Sequence, residues 1–209
     1  MPWANTVVET ELPRFGLATV VFHYSRLVPP DRSTALDESF LRGLNAAVPE
    51  ALARMDRLPL SAVLMACTSA GFSPTASRPA SVVTAFDALF AALRELRAKR
   101  IVLATPYPHD LTAREIEAFV RRRIGVVTSV SLGRNDKLAD VTADEIHELL
   151  DEIDPSVLRD ADALVLSCTA WPTLAVLPDL EATVDIPVIS SNLAMAMYPF
   201  TTTAAGERA

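Results

Sequence analysis

The sequence predicts an α/β fold: two Rossmann-like lobes with parallel sheets, related by a pseudo-twofold axis, with a ligand site in the cleft between them. Three observations carry this. Apolar strand-like runs alternate with amphipathic helical segments along the 209 residues, as in parallel sheets covered by helices on both faces. Two of the runs end alike, in Met65-Ala66-Cys67-Thr68 and Leu166-Ser167-Cys168-Thr169, and these hold both cysteines of the chain. A continuous apolar run is a strand buried on both faces, and its carboxyl end is where open α/β sheets place their ligands.

The elements follow in order. Gly16 to Tyr24, rich in Val, Ala and Phe, reads as a strand. Leu36 to Arg54 carries Phe40, Leu41, Leu44, Val48 and Leu52 at helical spacing. Ser61 to Ala66 is the strand before Cys67. Pro79 to Lys99 reads as a single helix, with Val82, Phe86, Leu89, Leu93 and Leu96 on one stripe and basic residues in its last turn. Ile101 to Ala104 is a short strand that runs into Thr105-Pro106-Tyr107-Pro108. Thr112 is placed to cap a helix containing Glu115, Ile116, Phe119 and Val120. Gly125 to Leu132 is a β-branched strand, and Thr142 opens a helix through Ile153. Ala163 to Ser167 leads into Cys168, and Pro187 to Ser190 is a last short strand. The lobe boundary falls near Lys99. Residues 1–98 with 190–209 form the first lobe, and 99–189 form the second.

Composition narrows the function. Half of the chain is hydrophobic and the net charge is −7, with Lys and Arg scattered. A nucleic-acid surface needs a clustered basic footprint, so no nucleic-acid partner is expected. No apolar stretch reaches the roughly eighteen residues of a membrane span, so no membrane partner is expected either. The first ten residues lack a basic start and an apolar core, which reads as no signal peptide and a cytoplasmic setting with free thiols. His23, His109 and His147 stand far apart without metal-ligand spacing, and no phosphate loop or dinucleotide fingerprint is present. Neither a metal nor an organic cofactor is expected.

The chemistry rests on the two cysteines. One cysteine at a strand end is most simply a small buried hydrophobe. The same Cys-Thr pair at two equivalent places is more than packing requires. If each strand turns into a helix, the backbone N–H groups of Thr68, Ser69, Thr169 and Ala170 are free to hold a carboxylate. The same helix end should lower the thiol pKa and favour thiolate. Two such sites facing one small acid can work from opposite sides, one thiol attacking or deprotonating a carbon beside a carboxylate and the other supplying or removing the proton.

The motifs, taken in order, resemble the aspartate/glutamate racemase superfamily, and within it the maleate cis-trans isomerases. Pro2, Asn5 and Glu9 match that family's Pro-x-x-Asn-x-x-x-Glu segment. Ala66-Cys67-Thr68-Ser69 and Ser167-Cys168-Thr169 match its two catalytic motifs, and Thr105-Pro106-Tyr107 its Thr-Pro-Tyr. Asn135 stands six residues before Val141, as in its Asn loop, and Ser190-Ser191-Asn192 matches its closing Ser-Ser-Asn. The resemblance implies that Cys67 adds to the double bond of maleate, that Cys168 exchanges a proton, and that Asn5, Tyr107 and Asn135 orient the carboxylates. It also implies a homodimer. By residue type alone, Asn5 reads as a helix cap, Tyr107 as an amphipathic turn residue and Asn135 as a turn former beside Gly133.

Rival readings stay open at this level. A racemase acting on aspartate, glutamate or a hydantoin would use the same thiols as a two-base pair on an amino-acid substrate. An arylmalonate-type decarboxylase resembles this scaffold with the second cysteine only. A non-catalytic small-acid binding protein would need neither thiol. In the family the Asn segment follows an apolar strand, so the first sheet is expected to lack its opening strand. Adding about ten apolar-rich residues upstream is then expected to stabilise the chain.

Overall fold

A computed structural model describes residues 1–30, 32, 35–73, 79–201 and 206. The part of the expected first lobe at 202–205 and 207–209 lies outside the described residues. The fold is α/β with parallel sheets. The first sheet pairs β1 (Val63–Met65) with β2 (Val82–Thr84). The second contains β3 (Arg100–Thr105), β4 (Gly125–Ser131), β5 (Ala163–Leu166) and β6 (Val188–Ser190), in the order β4-β3-β5-β6, every pair parallel. β3 and β5 are central, and Ile101 to Ala104 and Ala163 to Leu166 are fully buried, as their apolar runs require.

The first lobe begins with α1 (Val7–Glu11), then α2 (Glu38–Ala46) and α3 (Val48–Ala53). Leu36 to Arg54 is therefore two helices. Pro49 sits in the first turn of α3 and has no N–H to continue the ladder of α2. Gly16 to Tyr24, expected as a strand, forms none. A strand needs an ordered edge to pair with, and the one bridge near this segment joins Pro2 to Leu27 in parallel.

α4 (Ser69–Phe72) follows Cys67, and α5 (Ala85–Glu95) follows β2 directly. The helix expected over Pro79 to Lys99 is thus corrected: Val82-Val83-Thr84 joins the sheet. Thr84 then starts α5 with a reciprocal cap, its hydroxyl accepting from Asp87 N (3.1 Å) while Asp87 Oδ2 accepts from Thr84 N (3.0 Å).

In the second lobe α6 (His109–Arg121) starts after Pro108. Thr112 lies inside that helix and does not cap it. α7 (Ala143–Asp151) is capped by Thr142 as expected, and α8 (Pro155–Leu158) and α9 (Leu177–Thr183) complete the crossovers. The chain returns from β6 through α10 (Ser191–Met197), which packs on α5 and on the turn at Leu12–Phe15. One core joins Met1, Val8 and Leu12 to Leu103, Val165 and Met195, and a smaller one surrounds Leu44, Met65 and Cys67.

A cavity of about 680 Å³ lies beside β1. Its lining includes Leu60 to Ala66, Thr19 to Ser25, Met1, Val8 and Met195. Among the described residues, no strand pairs with the edge of β1 opposite β2.

Candidate active site

β1 and β5 deliver the two cysteines to one place. Cys67 follows β1 by two residues and Cys168 follows β5 by two. Both are free and buried. The two motifs touch: the Thr169 hydroxyl donates to the Ala66 carbonyl at 2.9 Å, joining the residue after one cysteine to the residue before the other. The sulfurs also sense each other electrostatically. Tyr107, on the turn after β3, is 1 % exposed, and its hydroxyl is the hydrogen-bond partner of the Cys168 sulfur.

Asn5 reaches the same spot from the N-terminal segment. Its Oδ1 accepts from Val7 N (3.0 Å) and Val8 N (3.4 Å), which caps α1, and its Nδ2 donates to Thr169 Oγ1 (3.2 Å). The cap reading of Asn5 is thus met, and the same side chain reaches the residue after Cys168. Arg26, which the sequence reading passed over, clamps this segment. Its guanidinium donates to the carbonyls of Trp3 (2.9 Å) and Asn5 (2.8 Å) and to Glu9 Oε2 (2.5 Å). Nothing local could have signalled it, because two of its partners are backbone carbonyls more than twenty positions away and the third, Glu9, is 17 away.

Further bonds complete the frame. Thr68 Oγ1 meets Ser191 Oγ at 3.0 Å. Asn192 Nδ2 donates to Glu11 Oε2 (2.7 Å) and to the Thr169 carbonyl (3.3 Å), and Glu11 Oε1 accepts from Leu174 N (2.8 Å). Ser190 to Asn192 therefore braces both cysteine loops. Ser69 Oγ lies 3.4 Å from Cys67 Sγ, and Ala170 N donates to Cys168 Sγ at 3.3 Å. Asn135 is exposed on the loop after β4. The stretch before it is zipped to the Tyr107 turn by Leu132 N to Thr105 O (3.0 Å), Gly133 N to Tyr107 O (3.1 Å) and Arg134 N to Pro106 O (2.9 Å). Asn135 is the next residue after this zipped stretch. Trp171 is fully buried in the core.

Two expectations are corrected here. The chain turns into a helix after Cys67 but makes only turns after Cys168, where α9 starts at Leu177. The predicted lowering of the thiols is also reversed. Burial pushes Cys67 up against the donors at Ser69 and Ala70, and it pushes Cys168 up to about 12 despite Tyr107 and Ala170 N–H. Burial likewise lifts the Tyr107 hydroxyl well above its usual value. Burial thus favours two neutral thiols. Asn5, Thr68, Ser69, Tyr107 and Thr169 around them are neutral donors suited to a carboxylate. Among the described residues, no group of three or more His, Cys, Asp and Glu is placed to hold a metal.

Comparison with known proteins bears on the family and the fold. A family model described as arylmalonate decarboxylase matches residues 73–208. A maleate isomerase of Geobacillus stearothermophilus is 30% identical over 216 residues, covering 91% of this chain and 84% of that protein. The fold is similar to that of a Nocardia farcinica maleate cis-trans isomerase mutant with a covalently bound succinylcysteine intermediate. The TM-score is 0.84 at 22% identity, over 98% of this chain and 90% of that one. It is also similar to a crystal structure of arylmalonate decarboxylase, with a TM-score of 0.61 at 22% identity over 80% of this chain and 83% of that one.

Proposed function

The chain belongs to the family of the arylmalonate decarboxylases and their maleate isomerase relatives, and we propose that it is a maleate cis-trans isomerase working through Cys67 and Cys168. The observation that carries the reading is the bond from Thr169 to Ala66, which sets the two sulfur-bearing strand ends against each other. The sequence kinship to maleate isomerase supports the substrate. A decarboxylase needs one thiol to protonate its enediolate, and two thiols in one site suit addition and elimination better.

In this reading Cys67 reacts as the minor thiolate form, its proton given up to solvent and its sulfur supported by the donors at Ser69 and Ala70 against the burial that favours the neutral thiol. Its sulfur forms a C–S bond to one alkene carbon of maleate, and the π electrons move to the other carbon and into its carboxylate. The Cys168 thiol protonates that carbon, leaving a succinyl adduct on Cys67 and a thiolate at Cys168. Rotation about the new single bond brings the carboxylates trans. The Cys168 thiolate removes the proton, the C–S bond breaks, and fumarate leaves with Cys67 again a thiolate. Asn5, Tyr107 and the donors at Thr68, Ser69, Thr169 and Ala170 hold the carboxylates and the enediolate charge, with Asn135 a further carboxylate donor by likeness to the family. The reading extends to a homodimer, by likeness to the family.

The test is direct. Maleate mixed with the purified chain is followed by proton NMR. Fumarate should form with the parent and not with Cys67→Ser or Cys168→Ser. Intact-protein mass spectrometry of Cys168→Ser with maleate should show a gain of one maleic acid at Cys67. Absence of both fumarate and adduct overturns the reading. Deuterium entering Cα of aspartate or glutamate would replace it with racemisation.

A further inference from the structure

Glu115 has no exposed surface and stands behind the site. It lies on the face of α6 that carries Leu111, Thr112, Ala118 and Phe119 into the core. Ser167 Oγ donates to its Oε1, and Ser167 is the residue before Cys168. Among the described residues its Oε2 has no hydrogen-bond partner. One turn earlier on the same helix, Thr112 Oγ1 meets Thr105 Oγ1 at 2.7 Å, two residues before Tyr107. One helix thus grips the ends of two neighbouring strands through side chains three residues apart. Those strand ends carry the hydroxyl and the sulfur that face each other. Ser167 N is held by the Ala104 carbonyl at 2.9 Å, so the grip acts on a fixed register.

We propose that Glu115 is a positioning residue that, as a neutral acid, holds the Ser167–Cys168 strand end so that Cys168 meets Tyr107 and can pass a proton. This deepens the isomerase reading and rests on it. A buried carboxylate with one hydrogen bond is costly, whereas a protonated acid is tolerated there. Burial lifts this group to about 8, which keeps it protonated at neutral pH. Once ionised, it opposes the Cys168 thiolate. The titratable groups that face it are Tyr107 and Cys168. β4 and α4, which pack on α6, carry none; α5, whose Phe86 ring meets that of Phe119, carries Asp87, held by Arg122; and the only one on β3, Arg100, is at the opposite end of that strand.

The experiment compares Glu115→Gln, Glu115→Leu and Ser167→Ala. With maleate, Glu115→Leu and Ser167→Ala should lose about tenfold in kcat with KM nearly unchanged, since misplacing a proton-transfer group slows the chemical step. Glu115→Gln should recover most of that loss, because its amide oxygen still accepts from Ser167. A second readout needs no turnover. In a Cys67→Ala background, iodoacetamide alkylation of Cys168 follows its thiolate fraction. The ratio of the Gln variant's rate to the parent's should rise above about pH 8, roughly two- to fivefold. A flat ratio, or a Leu variant with the parent's kcat, overturns the proposal. A rising ratio in a chain that never turns over maleate would leave the Glu115 coupling standing and fell the isomerase reading instead.

Discussion

A carboxyl group that keeps its proton on folding ties stability to pH in one direction. Glu115 is lifted by burial from 4.5 to about 8. Between those values the unfolded chain releases a proton that the folded chain retains, so this group's contribution is complete at low pH and is lost as pH rises toward 8. The contribution is on the order of 5 kcal/mol at most. Glu115→Gln escapes this loss, so its melting temperature should gain on the parent's as pH goes from 5 to 8; parallel curves would show that Glu115 is ionised in the folded state. Asn5 gives a second residue-scale prediction. Asn5→Asp keeps an oxygen for the Val7 and Val8 N–H groups but replaces the donor aimed at Thr169 with an acceptor. Folding should survive, while KM for maleate should rise on the order of 10- to 100-fold through lost donation and repulsion of a dianion. An unchanged KM would remove Asn5 from the site. The cysteines were legible because a repeated dipeptide needs no long-range information. Glu115 left a weaker trace, an acid on an apolar helical stripe. The ligand role of Asn5 came from resemblance alone, and its bonds to α1 and Thr169 appear only once position 5 meets position 169.

Elements matter where they hold Cys67. α4 is four residues long and lies tight against the start of α5. A Cβ at Gly71 would come within 2.4 Å of Thr84 Oγ1 and 2.5 Å of Phe86 Cβ. Thr84 is the cap of α5, so it cannot give way without releasing Asp87 N. Gly71→Ala should therefore displace α4 and the Cys67 turn, costing about 1–3 kcal/mol. Activity should fall further than melting temperature alone accounts for at 25 °C, where the variant is still folded. Wild-type kcat in a folded variant would show that α4 does not set the thiol. The same junction explains a misread element. The stripe from Val82 to Leu96 fits one helix by spacing, but its first residues pair with β1, and spacing cannot report a strand partner some twenty residues away. The thiol prediction failed for a related reason: residue pattern reports the donors around a sulfur and not how deeply the fold buries it.

At the scale of the molecule, the cavity beside β1 is a weak place in the core. Pro2 runs parallel to Leu27, so residues built ahead of Met1 would continue alongside Thr19 to Ser25, between that segment and the free edge of β1. The Met1 amine now sits at this point, donating to Ser25 O at 2.9 Å, and burial lowers it to about 6. Between pH 6 and 8 the unfolded chain holds a proton that the folded chain has given up, so this amine makes stability rise with pH across that window. An added strand of about six apolar residues would replace the amine with a peptide N–H and offer bonds to both walls. Each large apolar side chain buried is worth about 1.5–3 kcal/mol, against about 1–2 kcal/mol of backbone entropy per residue, and the new ladder bonds tip the balance toward order. The extended chain should melt about 5 °C or more above the parent and lose the amine's share of the rise between pH 6 and 8. The same extension with Asp at alternate positions should give no gain, because its charges cannot enter an apolar slot. Equal melting temperatures for the apolar and Asp-bearing extensions would mean that the slot does not accept a strand.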